Sequence, residues 1–177
     1  MVRKYKARMG AMSIFLTVML NVFIISLYYF IIFRKDYVNI PSTVTKYFLL
    51  LLFAIIAIVP YILHPKEYLI KDNYILIKSP VFTIKKINIY DLVDIKETST
   101  HAFNMHIRMF ASKGFWGYFG IFNSRPYGRY SVYASNLTDL VFIITKTKNI
   151  TIISPKQRLD FIMVCQKIRS QQLEKLD

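Results

Sequence analysis

The chain has 177 residues, 24 Lys/Arg against 10 Asp/Glu, and one cysteine. Its formal net charge of +14 is of the size seen in nucleic-acid binders, but no nucleic-acid-binding motif accompanies the charge, so nucleic acid is not an expected partner. A single cysteine excludes an intramolecular disulfide.

The charge belongs to two unlike parts. Residues 1–63 hold seven Lys/Arg and one acid, and residues 64–177 hold seventeen and nine. In the first part, basic residues bracket two apolar runs. Arg3, Lys4, Lys6 and Arg8 precede Ala11–Phe33, which contains no charged residue, and Arg34 and Lys35 follow it. A bilayer core about 30 Å thick takes about 20 apolar residues as a helix, so residues 11–33 are expected to span. Asn21 lies near mid-span, where an amide seeks a partner. It is the candidate for transmembrane packing, with a tolerated lone amide as the plain alternative. A cleaved signal peptide is not expected, because the run is too long for an h-region and no small-x-small site follows.

The second span is expected at about residues 43–63, opened by Ser42 and Thr43 after Pro41, with Lys46 snorkelling to the headgroups. Pro60 should kink or end it. The short connector makes residues 1–63 an antiparallel transmembrane hairpin. The Lys/Arg bias places both termini in the cytoplasm, at the inner membrane of a bacterium.

Residues 64–177 read as one cytoplasmic domain. Tyr68–Lys71 and Tyr74–Lys78 flank Asp72 and Asn73, a hairpin pattern. Val81–Ile84, Ile87–Ile89 and Val93–Glu97 look like strands, with a single helical turn at Tyr90–Leu92. Arg129–Ala134 alternates in part, and Leu140–Lys146 and Asn149–Ile153 form a second hairpin around Thr147 and Lys148. The period then changes. Ser154 as N-cap, Pro155 at the first helical position and Gln157 at N3 predict a capped helix. Leu159, Phe161, Ile162, Met163, Val164, Cys165 and Ile168 would supply its apolar face. The expected fold class is α+β: two transmembrane helices, then a β-barrel of about seven strands capped by a C-terminal helix.

Three pieces of sequence resemble a known group. They are the GFWGYFG run from Gly114 to Gly120, Tyr133 to Ser135, and Ser154–Pro155 with Phe161. As a set they resemble the bacterial pleckstrin-homology-like (PH-like) membrane proteins, over about residues 64–175 plus the preceding hairpin. The resemblance implies a PH-like barrel. It implies little about ligand, since the fold serves lipid, peptide and oligomer contacts alike. Phosphoinositide-binding relatives use a basic first hairpin. Here that hairpin has only Lys71 and Lys78, offset by Asp72, which argues against that ligand.

Residues 112–124 are the densest unusual segment. Phe115, Trp116, Tyr118 and Phe119 sit among Gly114, Gly117 and Gly120. Aromatic residues between glycines suit a loop that grips a partner or dips into the membrane. The same residues would equally fill a barrel core, with Trp116 the one most suited to surface contact. Lys113, Arg125 and Arg129, with Arg108, flank the segment as a basic rim for anionic lipid headgroups, or simply as solvated charge. His64, His101 and His106 lack the ligand spacing of a zinc site. Cys165 reads as a buried helix residue, and no G-x-S-x-G, P-loop, Rossmann or zincin signature is present. No catalytic residues, metal or cofactor are therefore expected. The expected function is a membrane-anchored interaction module that binds a protein partner or a second copy of itself. The alternative is sensing of anionic headgroups.

Overall fold

The computed structural model describes residues 2–7, 9–33, 43–98, 107–113, 116–125 and 127–173, with the backbone alone at 107–113 and 172–173. Phe115, His101 and His106 lie outside the described residues.

Two helices follow a short first strand. Helix α1 is Ala11–Phe33 and α2 is Thr43–Leu63. At 1.5 Å per residue they are roughly 35 and 32 Å long. Both are long and apolar enough to cross a membrane, and within the molecule both are largely uncovered. The buried residues of α1, Ser13, Thr17, Ile24 and Ile31, recur at four- and seven-residue steps and so share one face. The Tyr28 hydroxyl donates to the Leu50 carbonyl, tying the C-terminal half of α1 to the N-terminal half of α2. Asn21 makes its bond inside α1, its amide nitrogen donating to the Thr17 carbonyl at 2.7 Å. Pro60 sits within the last turns of α2.

Among the described residues there are ten strands in two open sheets. The first sheet has the order β1-β2-β3-β4: Val2–Lys6, Glu67–Lys71, Tyr74–Lys78 and Thr83–Asn88, all antiparallel. The second has the order β5-β9-β10-β8-β7-β6. Its members are β5 (Leu92–Thr98), β6 (Ile107–Lys113), β7 (Tyr118–Ser124), β8 (Gly128–Ala134), β9 (Leu140–Thr145) and β10 (Ile150–Ile153). Strands β10 and β8 pair in parallel and the other neighbours antiparallel. Helix α3, Arg158–Leu173, follows.

The expected closed barrel of about seven strands is corrected to these two sheets. A one-turn 3-10 helix at Ile89–Asp91 separates them, entered where the Asn88 side chain accepts the Tyr90 N–H at 3.1 Å. It ends β4 and sends the chain into β5, which pairs with β9 and not with β4. The sheets are joined through side chains. Tyr68, Ile70, Ile75, Ile77 and Ile87 of the first meet Leu92, Ile95, Val141, Ile143 and Ile153 of the second, together with Phe161 and Cys165 of α3. Both faces of β9 are covered, because Leu140 and Phe142 join a second cluster with Phe122, Tyr130 and Val132.

Both expected hairpins are present. Asp72 and Lys148 take positive φ, 54° and 59°, at their turns. The first strand was not foreseen, since residues 2–6 read as a basic flank. The start of α3 also differs. Pro155 forms a bridge with Ala7, and the helix begins at Arg158. Ser154 therefore does not cap it: its hydroxyl accepts the Ser135 N–H at 2.7 Å. Phe161, Ile162 and Cys165 face the core, whereas Leu159 and Met163 are exposed.

Candidate functional site

The fold places its unusual residues where the helical hairpin meets the sheets. Strand β1 leads into α1, and α2 ends at Leu63 just before β2. The register Lys6↔Glu67 therefore sets the N-terminal arm beside the exit of α2. Ala7 N–H donates to the Lys66 carbonyl at 3.0 Å, and Lys156 N–H to the Lys6 carbonyl at 3.1 Å.

Ser135 holds both helix ends. Its carbonyl accepts the Gly10 N–H at 3.0 Å, at the start of α1, and its hydroxyl donates to the Pro65 carbonyl at 3.0 Å, just past α2. Gly10 leaves little room there, since a Cβ on it would lie 3.3 Å from the Asn136 Cβ. Behind Ser135, Ser154 Oγ accepts its N–H, and the Tyr68 hydroxyl accepts the Ser154 N–H at 3.2 Å and donates to the Tyr133 carbonyl at 2.7 Å. Tyr68, Ser135 and Ser154 are all buried. A buried polar group without a partner is costly, so the knot fixes Tyr133–Asn136 against β2 and β10. Burial raises the Tyr68 hydroxyl to about 12.

The third attachment is Trp116. Its backbone N–H donates to Thr17 Oγ1 at 3.0 Å, one and a half turns into α1. Its ring packs edge-on against Tyr61, centroids 4.8 Å apart, and lies 5.5 Å from the ring of His64. Trp116 has φ 57°, and Gly117 has φ 125°. A Cβ at Gly117 would lie 3.0 Å from the Ala134 carbonyl oxygen, so only glycine lets the chain pass here. His64 Nδ1 donates to the Tyr61 carbonyl at 2.5 Å. Burial holds the imidazole below its usual range, only partly countered by that bond, and the charge of Lys66 pushes the same way.

The sequence-selected residues thus divide. Tyr118 and Phe119 are buried, while Trp116 lies against the chain's own helices. The basic rim does not come together. Lys113 is opposite Tyr118, at the junction, whereas Arg129 is opposite Asn123, five residues along β7. At about 3.3 Å per residue the separation is roughly 17 Å. Arg125 lies in the turn beyond, and it and Arg129 are exposed at the end of the sheet remote from the helices. The Asp72–Asn73 tip of the first hairpin also points away from the junction, because β2 leaves α2 at its Glu67 end. Among the described residues, no three His, Cys, Asp or Glu side chains group as a metal site would need. Burial pushes the Cys165 thiol up to about 12.

Sequence reasoning missed Gly10, Tyr61 and Thr17 as junction residues. The signal available was the pair of small polar residues, Ser13 and Thr17, one turn apart at the start of an otherwise apolar run.

No match is found among curated proteins or among solved structures. The family model described as bacterial PH domain matches residues 66–168, from the residue hydrogen-bonded to Ala7 through to the buried face of α3. That span is more than half of the chain, and it contains the Ser135–Ser154 knot and the Trp116 turn: the chain belongs to the bacterial PH domain family.

Proposed function

We propose that this chain is a membrane-anchored, non-enzymatic interaction module whose PH-like domain is fixed against its own transmembrane hairpin. The observation that carries the reading is Ser135, which holds the start of α1 through its carbonyl and Pro65, two residues past α2, through its hydroxyl. Two apolar helices left largely uncovered by the rest of the chain suit a bilayer. The shared attachment supports a topology with the N-terminal strand and the domain on one side of that bilayer. The basic flanks favour the cytoplasmic side of a bacterial inner membrane.

An anchored domain needs no lipid affinity to reach the membrane. Its end remote from the helices, with Arg125 and Arg129 exposed, then faces the cytoplasm and is offered to a protein partner or a second copy. Photocrosslinkers at Arg125 and Arg129 in membranes test this. Discrete adducts are expected from each position, lost from position 125 on Arg129→Glu and from position 129 on Arg125→Glu. Absence of any adduct from either position would overturn it.

A second reading, contact with anionic lipid headgroups, is favoured by the lysines that the fold gathers at the junction instead of by the rim read from sequence. Lys66 and Lys78 meet there, the Lys66 N–H donating to the Lys78 carbonyl at 2.8 Å.

A further inference from the structure

The turn between β3 and β4 lies at the junction. Lys78 is the last residue of β3, and its carbonyl accepts the N–H of Lys66, three residues past the end of α2. The next four residues are Ser79, Pro80, Val81 and Phe82. Ser79 is buried and organises them: its Oγ accepts the N–H groups of Val81 and Phe82 at 3.2 and 3.0 Å, and its own N–H donates to the Phe82 carbonyl at 2.8 Å. The result is a braced turn that holds two apolar side chains outward. Val81 is 68% exposed and Phe82 44%. Beside them is a recess of about 350 Å³ lined by Lys4, Lys66, Glu67, Lys78 and the turn itself. Glu67 is satisfied by Lys4 at 2.5 Å. Lys66 and Lys78 make no ion pair among the described residues.

A solvated surface gives no reason to brace a valine and a phenylalanine outward beside two uncompensated ammonium groups. A bilayer surface does, because its boundary accepts apolar side chains while its phosphates accept cations. The position fits, since the turn adjoins the residues at which α2 leaves the span. We propose that residues 79–82 form a second membrane contact, with Val81 and Phe82 entering the headgroup–acyl boundary and the Lys66–Lys78 recess holding the phosphate of an anionic phospholipid. The inference rests on the membrane-spanning reading of α1 and α2. It fixes the tilt of the domain on the bilayer and makes its presentation sensitive to local anionic lipid.

The test uses the full chain in nanodiscs of phosphatidylcholine, with or without phosphatidylglycerol. Val81→Cys carries an environment-sensitive fluorophore, and Asn73→Cys, at the opposite hairpin tip, is the reference. The native Cys165 is buried and does not compete for label. Expected are blue-shifted emission and quenching by brominated acyl chains at position 81 but not at 73. Quenching should rise with phosphatidylglycerol, and Lys66→Glu with Lys78→Glu should abolish the rise; each lysine near an anionic surface is worth roughly a fivefold preference. Emission at 81 as water-like as at 73, in protein retained by the disc, overturns this inference and leaves the spans standing. Protein that alkaline carbonate strips from membranes and that fails to enter discs overturns both. Quenching that is indifferent to phosphatidylglycerol overturns the phosphate site.

Discussion

Ser154 occupies the position expected for a helix cap and serves instead as the acceptor for Ser135. Two of the three sequence pieces that resemble the family meet in that bond. Their spacing is legible because a buried N–H needs an acceptor, but which N–H it is cannot be read along the chain. Ser154→Ala leaves the Ser135 N–H buried without its acceptor. It should cost about 1–3 kcal/mol, seen as a lower Tm of the full chain in detergent. An unchanged Tm would mean that the knot is not structural. His64 makes a second residue-scale prediction. Its pKa is held below 6.5 in the folded protein by burial beside Trp116 and Tyr61, with Lys66 adding to the effect. Folding thus favours the neutral imidazole. Its stabilising contribution is complete above the unfolded pKa and is lost as pH falls through the lower folded value. Trp116 is the only tryptophan, so its emission reports the seam directly. A step with a midpoint below pH 6.5, absent in His64→Gln, is expected. A midpoint at or above 6.5 would contradict the burial argument.

At the scale of elements, the hairpins around Asp72 and Lys148 were readable. Each has β-type runs on both sides of a short polar pair, although only Asp72 is of a type that tolerates the positive φ both turns adopt. Strand β1 was not, and the reason is physical. Val2–Lys6 has three basic residues of five, which is the pattern of a helix flank, and its partner β2 lies beyond the whole helical hairpin. A strand of that length exists only by pairing. The basic rim failed for the converse reason: residues near in sequence are carried apart by extended strands, as Lys113 and Arg129 are. The aromatic run around Trp116 was legible as special, but its partner, the ends of α1 and α2, was not. The importance of β1 is tested at Tyr5. Its ring meets Phe161 edge-on at 5.1 Å, and its hydroxyl donates to Asp160 at 2.7 Å. Tyr5→Ala should cost about 3 kcal/mol and raise the protease sensitivity of residues 2–7. Loss of stability without exposure of β1 would place the effect elsewhere.

For the whole molecule, the hairpin and the domain form one mechanical unit. The chain enters the sheet at β1, leaves it through α1, returns through α2 and rejoins the sheet at β2, with Ser135 and Trp116 fastened across the gap.

The most direct test is a disulfide between Lys6→Cys and Glu67→Cys in the full chain in native membranes. The two are directly opposite in register. Because Ala7 and Lys66 share a ladder bond, their neighbours 6 and 67 form a close, non-hydrogen-bonded pair, about 4.5 Å between Cα atoms, within disulfide range. A protease site placed in the connector, residues 34–42, then separates the N-terminal fragment from the rest. Pairing of β1 with β2 predicts that oxidant keeps the two fragments joined on a non-reducing gel and that reductant parts them. Fragments that separate under oxidising conditions, although both cysteines react with maleimide, would contradict it.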